Sequence, residues 1–353
     1  MTEELHVHTH GSAGHISLNR PKALHALTQG MCEGMSEALL GWREDDAVKA
    51  VLLDHAEGRG FCAGGDVQLV RNSALEDGGE AGRAFFHAEY RLNHLMFTYP
   101  KPIVAFMDGV TMGGGVGISQ PCTFRVATEN TMFAMPEGNI GLFPDVGASW
   151  YLPRLPGAVG KFLALTAARL DGAECLWAGL ATHYLEAASL PEAKARIAGG
   201  DDVEETLAAL SVTPPEARIT GNAKRIDTLF GHDRLEDIVS ALEVDDSEWA
   251  GKELAKVRGK CPATSKVALR QFAENAACET FADNMRMEYR VASRMMLRHD
   301  FAEGVRAVLV DKTGDPQWDP ATPEGVTPAM LDEIFADSPE GGEWTPFPGI
   351  VEN

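Results

Sequence analysis

The pattern of apolar and polar positions changes character about residue 200. Before it, three short apolar runs stand out: 48–54 (VKAVLLD), 103–107 (IVAFM) and 124–127 (FRVA). Each is β-branched or aromatic and bounded by turn residues, which predicts buried strands. Between them, Met31, Met35, Leu39 and Trp42 recur at i, i+4, i+8 and i+11, the spacing of one helical face over 28–42. Strands alternating with helices predict an α/β architecture. Beyond residue 200 strand-like runs become rare and charged helical patterns dominate. Phe281, Met285, Tyr289, Ala292 and Met296 form one stripe there, and core packing is its simplest meaning. Gly199, Gly200 and the TPP at 213–215 mark a boundary. The chain therefore divides into residues 1–200, a helical region at 201–330 and a Pro- and Gly-rich tail at 331–353, expected to be irregular.

Charge narrows the function. With 31 basic against 52 acidic residues the net charge is -21, which disfavours nucleic acid as a partner. There is no run of 18 apolar residues, so no membrane span is expected. The N-terminus, MTEELHVHTHG, is polar and acidic and lacks the features of a signal or transit peptide, which predicts a cytoplasmic location. Six scattered cysteines without a C-x-x-C read as reduced, mostly buried thiols. His6, His8 and His10 alternate as ligands on a strand face would, but no acidic or cysteine ligand pattern accompanies them, so no metal is expected.

Chemistry points to the glycines. GRGFCAGGD (58–66) and DGVTMGGGVGISQ (108–120) each come after a predicted strand. Bare backbone N–H groups in such loops can approach a ligand closely. Neither fits a nucleotide-phosphate motif. Two clusters about fifty residues apart suggest two N–H donors converging on one oxygen, an oxyanion hole. Downstream, FAMPEGNIGLFPDVGASW (133–150) carries Glu137 and Asp145, each after a proline and among apolar residues and glycine. A carboxylate there is desolvated, its pKa rises, and it can serve as acid or base near neutrality. There is no G-x-S-x-G elbow, and no histidine is placed to activate Cys62 or Cys122.

In this order, ISLNRPKALHALT, GRGFCAGGDV, KPIVAFMDGVTMGGGVGIS and FAMPEGNIGLFPDVGASWYLPRLPG resemble the motifs of the crotonase (enoyl-CoA hydratase/isomerase) superfamily, over roughly residues 16–184. TMGGGVG, MPEGNIGLFPDVG and the later MEYRVASRMMLRHDFAEGVRAVLVDK and PQWDP are most similar to its 3-hydroxyisobutyryl-CoA hydrolase branch, extending the resemblance to about residue 320. The resemblance implies a crotonase-like spiral of ββα units as an acyl-CoA-binding catalytic core, followed by a mainly helical C-terminal region. It implies thioester hydrolysis in valine catabolism, with an acyl-CoA as partner and no cofactor beyond the substrate's own CoA. The oxyanion donors would be the N–H groups of Gly65 and Gly114. Glu137 would be the nucleophile or general base, Asp145 would accept from the substrate's 3-hydroxyl, and Glu89 of HAEYRLN would orient the acid or the water. Backbone around Lys22, Ala23, Leu24, Ala63 and Gly64 would hold CoA.

Two positions depart from the common pattern. Hydratases of the superfamily carry a second glutamate three residues after the middle glycine, where this chain has Gly117. The usual asparagine of ALNAL is His25 here, which puts the local capping contacts in question. Two rivals stay open: hydration or isomerisation of another acyl-CoA with Glu137 as sole base, and a non-catalytic acyl-CoA-binding protein. Crotonases commonly form trimers or hexamers, so the resemblance leaves a homo-oligomer open, as it does a long C-terminal extension that covers the surface which would otherwise trimerise.

Overall fold

The computed structural model describes residues 3–337 and 342–352. Two sheets organise the first half. Strands β1 (Leu5–His10), β2 (Ala13–Leu18), β3 (Ala50–His55), β5 (Ile103–Met107), β7 (Phe124–Ala127) and β10 (His183–Tyr184) form one sheet in that order. The second, of very short strands, runs β4 (Gly60–Cys62), β6 (Val110–Met112), β8 (Met132–Ala134) and β9 (Leu170–Asp171). Three times the chain passes up the large sheet, turns into the small one and leaves for a helix or loop. Each pass is laid parallel on the last, β3 to β5 to β7 and β4 to β6 to β8. This is the crotonase-like spiral of ββα units.

The large sheet's central strands are buried along their length, as expected for continuous apolar runs in a parallel sheet. Helix α1 (Gln29–Arg43) begins where Thr28 accepts from the Met31 N–H, and it buries Met31, Met35 and Leu39. Helix α2 (Val67–Glu76) starts at Asp66, and α3 (Glu80–Phe97) packs against both α1 and α2. The strands of the small sheet differ from the expectation, which placed none there. At two or three residues each, they are too short for an alternating pattern to register, and the glycine loops leave these strands rather than the longer ones.

After Tyr184 the described residues contain helices but no strand. Helices Pro262–Asn275 and Phe281–Met295 return to the first half, and the latter packs on α3. One large cluster of buried apolar side chains draws on both halves, from Leu5 to Ile350, with smaller clusters beside it. The tail expected to be irregular from residue 331 begins inside a helix, Pro328–Phe335. Thr327 caps it by accepting from the Met330 N–H, Pro328 occupies its first turn, and Met330, Leu331 and Phe335 pack on the core. Residues 338–341 and 353 of that tail lie outside the described residues.

Candidate active site

Pairing within the small sheet brings the chemistry together. Because β4, β6 and β8 are neighbours, the segments leaving their ends, 63–66, 113–117 and 135–137, emerge side by side. They line a cavity of about 660 Å³ with α3 and the loop 142–146. All ten residues singled out above, Lys22, Ala23, Leu24, Ala63, Gly64, Gly65, Glu89, Gly114, Glu137 and Asp145, lie on its wall. Val308, Leu309 and Lys312 close it from the C-terminal half.

The second glycine loop is squeezed between two acids. A Cβ on Gly114 would lie 2.5 Å from Glu89 Oε1 and 3.1 Å from the Gly65 amide nitrogen. Only bare backbone fits there. Gly113, at a φ of 49°, takes a conformation that favours glycine, and a Cβ on it would lie 2.9 Å from Glu137 Oε1. The backbones at 65 and 114 therefore meet with one carboxylate close on either side. Gly114 opens the short helix α4 (Gly114–Gly117), and Asn93 of α3 donates to the Gly117 carbonyl at 2.9 Å.

Glu89, Glu137 and Asp145 are all buried. Glu89 Oε1 and Glu137 Oε2 have no hydrogen-bond partner among the described residues. Burial, then repulsion from Asp145 and Glu137, holds the Glu89 carboxyl well above the usual carboxylate range. Burial and the Asp145 charge do the same to Glu137. Asp145 is pushed up by burial only to about 6, because the Tyr90 hydroxyl donates to its Oδ2 at 2.7 Å and favours the charged form. The three acids are thus unequal: Asp145 has the Tyr90 hydroxyl and a backbone hydrogen bond in support of its charge, while Glu89 and Glu137 also feel the repulsion of neighbouring acids. Among the described residues no group of histidine, cysteine and acidic side chains is arranged to hold a metal.

The first glycine loop is tied to the segment before α1. The Ala63 N–H donates to Leu24 O and the Leu27 N–H to Gly64 O, at 2.9 and 2.8 Å. His25 answers the question its substitution raised. It is buried with a φ of 58°; its Nδ1 accepts from the Arg20 N–H at 2.9 Å and its Nε2 donates to Glu57 O at 2.8 Å. The imidazole therefore spans the turn that presents residues 22–24 to the cavity.

Sequence reasoning missed Tyr90 and Glu288. Glu288 lies on the helix Phe281–Met295 and accepts from the Gly147 N–H at 2.7 Å, the Ser149 N–H at 3.1 Å and the Ser149 hydroxyl. Burial pushes its carboxyl up to about 7. A signal existed: Glu288 sits three residues after Met285 and four before Ala292, on the apolar stripe itself, where an acid needs a reason. Val146, between Asp145 and Gly147, has a φ of 54°. For a β-branched residue this conformation costs on the order of 1–3 kcal/mol.

Known proteins resemble this chain over most of its length. A family model described as enoyl-CoA hydratase/isomerase matches residues 13–335. The chicken 3-hydroxyisobutyryl-CoA hydrolase, mitochondrial, is 42% identical over 92% of this chain and 86% of its own. The human protein of the same name is 38% identical over 94% and 88%. A solved structure of a carnitinyl-CoA dehydratase from Mycobacterium thermoresistibile is 40% identical and superposes with a TM-score of 0.92 over 99% of this chain and 100% of that one. The cytoplasmic expectation is overturned by the two hydrolase relatives, whose names place them in mitochondria. A polar N-terminus was too little to carry it. The spiral, the paired glycine loops and the match over 13–335 have one meaning: the chain belongs to the enoyl-CoA hydratase/isomerase (crotonase) family.

Proposed function

We infer that this protein hydrolyses the thioester of 3-hydroxyisobutyryl-CoA, releasing CoA and 3-hydroxyisobutyrate, a step of valine catabolism. The observation that carries the reading is the meeting of three buried carboxylates with two glycine loops in one cavity. The Gly65 and Gly114 N–H groups donate to the thioester oxygen, whose charge grows as the carbonyl carbon becomes tetrahedral. Glu137 then acts in one of two ways. It attacks the carbonyl carbon, the C–S bond breaks, and water splits the resulting anhydride; or it takes a proton from a water that attacks directly. Either route consumes one water and yields one carboxylic acid and one thiol. Glu89 orients the acid or the water across the Gly114 backbone. Asp145, whose charge Tyr90 supports, accepts from the 3-hydroxyl. Residues 22–24 and 63–64 hold the CoA arm through their backbone. The chemistry calls on no metal and no cofactor beyond the CoA of the substrate.

A dehydratase or hydratase reading draws on one observation, the 40% identity to the structure of a carnitinyl-CoA dehydratase. Against it stands Gly117, which offers no second acid. Thiol release over a panel of acyl-CoAs separates the two. Free CoA is expected from 3-hydroxyisobutyryl-CoA and little from isobutyryl-CoA, whereas hydration of crotonyl-CoA without thiol release would overturn the hydrolase assignment. Asp145→Asn should lower kcat/KM for the 3-hydroxy substrate at least tenfold more than for isobutyryl-CoA. Equal impairment would remove Asp145 from hydroxyl recognition.

A further inference from the structure

Asp145 stands in a turn that its own residues do not explain. Val146 holds the left-handed conformation, and such a conformation persists only where the surroundings over-determine it. The restraint comes from the far half of the chain. Gln271, buried on the helix Pro262–Asn275, donates to Pro144 O at 2.7 Å, just before Asp145. Just after it, Glu288 takes the N–H groups of Gly147 and Ser149. Asn284, one turn earlier on the same helix, donates to Glu288 Oε1 at 3.2 Å and fixes that carboxylate in turn. Glu288 is fully buried and in no ion pair among the described residues. Its two oxygens thus serve the 147–149 amides and hydroxyl rather than a cation. Asp145 itself is held at one oxygen by Tyr90, so the direction of the other is set by the backbone of this turn.

We propose that Glu288 is a positioning residue for thioester hydrolysis, clamping residues 145–149 so that the Asp145 carboxylate meets the substrate's 3-hydroxyl. The proposal rests on the reading of Asp145 given above. Gln271 completes the clamp from the other side.

The test is the selectivity ratio, kcat/KM for 3-hydroxyisobutyryl-CoA divided by that for isobutyryl-CoA, in the full-length protein. Glu288→Gln keeps the size of the side chain and one oxygen acceptor but loses the second. It should lower the ratio at least tenfold, and in combination with Asp145→Asn should lower it little further, because both remove the same contact. Gln271→Met, which removes only the bond to Pro144, should lower the ratio less, and it carries the test alone if Glu288→Gln does not fold. An unchanged ratio in the clamp variants, while Asp145→Asn loses it, overturns the proposal. So does an equal loss on both substrates, which is what a purely structural role gives. If Asp145→Asn itself leaves the ratio intact, the reading of Asp145 fails and takes the proposal with it.

Discussion

Glu137 is buried and in no ion pair among the described residues, and burial is the first reason its carboxyl titrates well above the usual range. The folded chain therefore holds a proton there that the unfolded chain has already released. Across the window from the ordinary glutamate range up to the raised value, the folded state binds more protons, so its stability falls as pH rises. Glu137→Gln removes that penalty. Its melting temperature should exceed wild type by ~1–3 °C at pH 8, with the gap closing toward pH 4–5 while thiol release is lost. A gap independent of pH would mean the acid does not titrate in this way. The prolines and apolar neighbours at 136–137 and 144–145 made these two acids readable in the sequence, because desolvation follows from composition alone. Tyr90 was not readable. Its value lies in one hydrogen bond to a residue 55 positions away, and no local pattern carries that.

Among the elements, legibility followed length and burial. β5 and β7 have the bounds their apolar runs predict, and α1 starts one residue inside the expected range, at the Thr28 cap. The three-residue strands β4, β6 and β8 left no pattern, although they aim the glycine loops at one point. The fourth element of the site, α4, shows how closely these parts fit. A Cβ on Gly117 would lie 2.5 Å from Val146 Cβ and 3.1 Å from Asn93 Nδ2, tighter than real contacts allow. Gly117→Ala should therefore cost about 1–3 kcal/mol by overpacking, and it should push the Asp145 turn as it does so. The expected loss in 3-hydroxyisobutyryl-CoA turnover is about tenfold or more by the thiol-release assay. Gly117→Glu should gain no crotonyl-CoA hydration, since its side chain starts inside the space of Val146. A Gly117→Ala protein with wild-type turnover and stability would show that the turn yields easily.

At the scale of the molecule, the last described residues strap the two halves together. Trp344 is fully buried, with its ring edge-on to His94 of α3 at 5.7 Å. Glu352 accepts from His94 Nε2 at 3.1 Å and from the first N–H groups of the helix that carries Glu288, Phe281 at 2.8 Å and Ala282 at 2.6 Å. An anion at that end also suits the helix dipole. Trp344→Ala should cost roughly 3–5 kcal/mol, seen as a lowered midpoint in denaturant; a loss under ~1 kcal/mol would mean the strap is incidental. This strap, like the clamp on residues 144–149, crosses between parts of the chain that read as separate segments in the sequence. Recombination of genes within the family therefore has an asymmetric outcome. A crossover near residue 200 would inherit both glycine loops and Glu137, but would leave the Asp145 turn to be held by a stranger's helices. If Asp145 reads the 3-hydroxyl as proposed, the hybrid could still take up an acyl-CoA yet would have lost the means to tell a hydroxylated chain from a plain one. On that reading, a change of substrate by such exchange would call for changes in both halves at once.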